Sequence, residues 1–133
     1  MIRIVGGRSY GRGVDIHRSA PVALLGKLAD RSALESVNAS IGLLDDNDSV
    51  AVARAASVGI ARLEAVRFRA LARLNRHREG ARGVTQEVAF ALSLVDNHAG
   101  AMVAAAEALT ARLPRTLTLM DEGKVSGFGA MKV

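Results

Sequence analysis

The stretch SVAVARAASVGIARLEAVRFRALARLNR, beginning at Ser49, constrains this chain more than any other. Helical character runs on from it to Arg78, and Gly59 is its one weak point. A straight helix of about thirty residues is roughly 45 Å long. Ile60, Leu63, Val66, Ala70 and Leu74 share one side, the side expected to face a core. Arg54, Arg62, Arg69, Arg73 and Arg76 fall within roughly a 100° arc on nearly the opposite side. Against seven arginines between residues 49 and 78 stands one acid, Glu64. Arg67 and Arg78 lie in the apolar sector, where each must snorkel or meet an acid on a neighbour. A chain built on such an element packs helix against helix.

Composition agrees with that expectation. Hydrophobic residues make up 50% of the 133 positions but aromatics only 3%, so Ala, Leu and Val dominate and favour helix. The two prolines, Pro21 and Pro114, both suit helix starts. The class expected is all-α: an antiparallel helical domain with one long central helix and a helix-turn-helix-like pair.

Residues 1–18 hold Gly6, Gly7, Gly11 and Gly13 and show no helical period, which predicts a flexible leader ahead of a helical domain over 19–133. Within it GGRSYGRG spaces glycines like a phosphate loop. Arg12 and Gly13 stand where the gripping Lys and Ser/Thr are needed, so that reading fails. Ser19 and Pro21 predict the cap and first turn of a short helix. A second helix is expected from about Ser32, because Leu34, Val37, Ile41 and Leu44 repeat at 3-4-3 spacing. DDNDS at 45–49 should stop it and cap the long helix, with Gly80 ending that helix. Thr85 then caps QEVAFALSL, and Asp96 caps the helix to about Arg112. Val88, Leu92, Leu94, Ala99 and Met102 are placed to hold a helix-turn-helix crossing. Pro114 opens one more helix, Gly123 breaks it, and Ser126 begins another.

The Ala/Leu-rich helix into Leu113-Pro114, then Leu117, Gly123-Lys124-Val125-Ser126, Ala130 and Val133, resembles the actinobacterial thirteen-E-twelve repeat family. The similarity covers roughly residues 50–133 and is weak before residue 45. That family's helical domain of unknown function commonly precedes an HNH endonuclease domain. The resemblance implies a domain that continues past Val133, so this chain is expected to be the front portion of a longer protein.

The chemistry of the chain itself is sparse. An HNH centre needs paired histidines and an asparagine around a metal. His17, His77 and His98 lie singly on three segments, with no pair at ligand spacing. No catalytic residue, metal or cofactor is therefore expected, and the chain is read as not an enzyme. With no cysteine and no long apolar run, disulfides, thiolate metal sites and membrane spans are not expected, and the cytoplasm is the default compartment. No small-molecule substrate is implied. A formal charge of +5 points to nonspecific DNA as one partner, through phosphate contacts from Arg54, Arg62, Arg69, Arg73 and Arg76. The helix from Asp96 carries no basic residue before Arg112, which argues against base reading. A homodimer through exposed helix faces is the other partner reading, because so long an amphipathic helix exceeds what one small domain covers.

Overall fold

The computed structural model describes residues 12–78, 83–127 and 129, with side chains from Ala20 onward. Those residues form six α-helices, α1 (Arg12–Leu28), α2 (Arg31–Ser40), α3 (Asp46–His77), α4 (Val84–Leu92), α5 (Asp96–Ala111) and α6 (Pro114–Asp121), with a 3-10 turn at Ile41–Leu43 and no strand. The fold is all-α. The chain divides into two units, Met1–Ser49 and Val50–Val133.

The first unit corrects the expected leader. Residues 12–18 are helical, and α1 passes through Pro21 rather than starting there. An interior proline costs about 3 kcal/mol of helix stability, but from Val14 to Ala20 no glycine or proline interrupts the chain. The start at Met1 through Gly11 lies outside the described residues. Asp30 caps α2, its carboxylate accepting from the Ser32 and Ala33 amides at 3.1 and 3.3 Å. Of the 3-4-3 stripe only Leu34 and Val37 fall within α2, Ile41 lies in the 3-10 turn and Leu44 is extended, and Leu34, Val37 and Ile41 all remain exposed. From Ala20 to Ser49 no residue is buried; Leu25 and Leu44 are only partly covered.

The second unit holds the core. The long helix α3 begins three residues before Ser49, because the Asp45 carboxylate accepts from the Asp48 amide at 2.7 Å. Asp46 and Asp48 in its first turn suit the positive end of the helix dipole. Its buried residues are Ala61, Ala65, Phe68, Leu71 and Ala72. These are not the residues expected to face the core. Ile60, Leu63 and Val66 are 56%, 43% and 42% exposed, Ala70 is exposed, and only Leu74 packs against the core at its margin. At 100° per residue the centre of Ala61, Ala65, Phe68 and Ala72 lies about 170° from the aliphatic stripe and only about 65° from the arginine arc. The reason is packing. Ala65, Phe68, Leu71 and Ala72 join one core cluster with Met102, Leu109 and Met120, so the side of α3 that carries Phe68 and Leu71 is the side the core covers.

Around that face, Val88, Ala89, Ala99, Met102, Ala106, Leu109, Leu117 and Met120 complete one cluster. Helices α4 and α5 meet at 110° across Ser93–Val95, the geometry of a helix-turn-helix pair. Ser93 supplies the left-handed corner at φ 56°, and the Leu94 amide donates to the Ala89 carbonyl at 2.8 Å. Val88, Ala99 and Met102 are buried and Leu94 partly so, but Leu92 remains exposed. Neither predicted side-chain cap forms. The cap of α4 is Gly83, at φ 96°, and that of α5 is Val95, which leaves Asp96 inside the first turn. An acid there still complements the helix dipole. Pro114 opens α6 as predicted. Gly80 lies outside the described residues.

Candidate functional site

The arginine arc divides into two sets. Arg69 grips Asp121 at the end of α6 with both arms of its guanidinium, Nη1 to Oδ1 at 2.8 Å and Nη2 to Oδ2 at 2.6 Å. Arg62 Nε donates to the backbone carbonyl of the same Asp121 at 2.9 Å. Both are placed near the negative end of the α6 dipole, where cations are favourable. The hydrogen bonds that Arg69 donates hold the Asp121 carboxyl below its ordinary range and raise Arg69 above its own. Arg54, Arg73 and Arg76 are exposed and make no side-chain hydrogen bond or ion pair among the described residues. The arc expected to lie free along DNA is therefore partly consumed in joining α3 to α6, because the buried face of α3 lies beside it.

The two arginines of the apolar sector both meet acids. Arg78 pairs with Glu87 on α4, the neighbour alternative. Arg67 lies 3.7 Å from Glu64, one turn back on its own helix. Glu64 has a second partner: its Oε1 accepts from the Gly127 amide at 2.9 Å.

That bond belongs to a stretch, Gly123–Gly127, that runs against α3. Gly123 adopts φ 76° after α6, and a Cβ there would come within 2.5 Å of Val58 Cγ1. A Cβ on Gly127 would come within 2.5 Å of the Glu64 carboxyl carbon. Between them, Ser126 Oγ accepts from the Gly129 amide at 3.0 Å, so Ser126 caps a helical turn as expected. Two glycines and a serine are thus required by contact and by capping. Sequence reasoning saw the Gly and Ser as punctuation and missed Val58, Glu64 and Asp121, whose partners lie about sixty residues away along the chain.

The aliphatic stripe is the largest unassigned feature of the second unit. Ile60, Leu63, Glu64 and Arg67 line an open depression of about 310 Å³. Elsewhere the surface offers less. His77 ends α3 and His98 sits in the first turn of α5, both exposed and on different helices; the side chain of His17 lies outside the described residues. Among the described residues no three of His, Cys, Asp and Glu gather as a metal site. No single helix among them is long and apolar enough to cross a membrane. The exposed start of α5 presents Asp96, Asn97 and His98. Comparison with protein-family models, with curated proteins and with solved structures finds no match to this chain.

Proposed function

We propose that this chain is a non-catalytic helical association module, of the kind that precedes HNH endonucleases in the thirteen-E-twelve repeat family. One observation carries the association reading. Helix α3 buries its alanine side and leaves Ile60, Leu63 and Val66, a run of large aliphatic residues, open to solvent. Scattered apolar residues on a surface need no explanation, but a continuous stripe on a rigid helix marks a contact surface. The family reading rests on the sequence resemblance through Leu113-Pro114, Leu117 and Gly123-Lys124-Val125-Ser126. The test is thermal unfolding at two protein concentrations tenfold apart. Association linked to folding raises the midpoint with concentration; a midpoint that does not move overturns the reading.

A second reading has its own observation. Arg54, Arg73 and Arg76 remain exposed on one arc, so the same helix can meet phosphates without breaking the Arg69–Asp121 contact. DNA binding that falls steeply between about 50 and 200 mM salt, and that weakens when these three become Ala, would support it. No binding at the lower salt would remove it.

A further inference from the structure

We infer that the exposed stripe of α3 pairs with the same stripe of a second copy of this chain, antiparallel, about a two-fold axis near Leu63. The inference rests on the association reading and names its partner. Ala53, Ala56, Ile60, Leu63, Arg67 and Ala70 follow one another at spacings of 3, 4, 3, 4 and 3, the seam of a coiled coil, and every one of them is exposed. A two-fold interface must complement itself, and this seam does. Its large aliphatic residues sit at the centre, with Ala56 and Ala70 each seven positions from Leu63. An antiparallel copy sets Leu63 beside its counterpart, brings Ala56 to the partner's Ala70, and lays the Arg67 stem over the partner's Ile60.

Charge selects the direction. Glu64 flanks the seam one turn from Arg67, and the two touch only weakly within one chain, at 3.7 Å. In the antiparallel pair each Arg67 reaches the partner's Glu64, giving two equivalent ion pairs. A parallel pair would place Arg67 against Arg67 at a seam position, like charge on like charge. The depression lined by Ile60, Leu63, Glu64 and Arg67 is the hole that receives the partner's central aliphatic residues.

The chain has no cysteine, so single cysteines report the pairing cleanly. Leu63→Cys and Ala53→Cys are compared for disulfide dimers under mild oxidation, on non-reducing gels. Two cysteines at 63 meet across the axis, whereas two at 53 are separated by roughly 30 Å and cannot bridge. The expected result is a strong dimer band for Leu63→Cys and little for Ala53→Cys. Alongside, Leu63→Asp should weaken dimerisation in analytical ultracentrifugation by roughly thirtyfold or more, with its helix content retained because Leu63 is already 43% exposed. Equal bands from both cysteines mean parallel pairing and overturn the inference. A dimer that neither cysteine captures and that Leu63→Asp leaves intact uses another face; it overturns the inference while the association reading stands. A chain that is monomeric and melts independently of concentration overturns both.

Discussion

Arg69 and Asp121, 52 residues apart in the chain, are joined by two parallel hydrogen bonds that tie the middle of α3 to the end of α6. The pair is 44% and 42% exposed, so solvent screens it and its worth is about 0.5–1 kcal/mol, near the upper end for a surface pair because of the two-armed geometry. Asp121→Asn should cost roughly that much at neutral pH. The acid limb gives a sharper check. The folded carboxyl lies below its ordinary value of 3.8, so its contribution is present above that value and is lost as pH falls through the folded one. The stability curves of wild type and Asp121→Asn, measured by urea unfolding, should converge below pH 3.8 and separate above it.

Phe68 is the largest buried residue on α3, at 1% exposure among alanines. Phe68→Ala should destabilise the second unit by about 3–5 kcal/mol, because it removes a fully buried aromatic side chain from the core cluster. That is a large share of a small domain's stability. Loss of a cooperative urea transition at 25 °C, or a midpoint shift of matching size, checks it. Ile60→Ala, of an exposed residue on the same helix, should cost under about 1 kcal/mol in the monomer.

Gly123 meets two separate demands, a left-handed backbone and contact with Val58. Gly123→Ala should cost about 1–2 kcal/mol for the backbone alone, and more for the collision. Adding Val58→Ala to Gly123→Ala removes the contacts with Val58 Cγ1 and Cγ2, leaving a Cβ contact at 3.0 Å and the backbone cost. The double variant should therefore be more stable than the sum of the two single losses, read as a coupling energy in a double-mutant cycle.

The first unit should behave differently from the second. With no buried residue from Ala20 to Ser49, the amides of α2 are predicted to exchange with solvent much faster than those of α5. Limited trypsin treatment should cut at Lys27 or Arg31 before Arg73 in α3 or Arg115 in α6. Slow exchange in α2 would show that its Leu34–Val37–Ile41 stripe is covered in solution.

The helices themselves were legible in the sequence, because their signals are local. Asp45 caps, Pro114 opens and Gly123 stops helices by chemistry that acts within a few residues, and apolar 3-4 spacing marks α2 and α3. Which face of α3 is inside was not legible. Periodicity weights Ile60, Leu63 and Val66 above alanine, yet the side of α3 that joins the core is the one carrying Ala65, Phe68, Leu71 and Ala72, through packing against residues of α4, α5 and α6 that are distant in the chain. The same fact reassigns the arginines. Lying beside the buried face, Arg62 and Arg69 find Asp121, a partner that one-dimensional spacing cannot reveal. The sequence by itself determined that the chain is helical and where α3 and α6 start, because those signals are local; tertiary packing decided which residues face inward, which arginines are held, and which aliphatic stripe is left exposed.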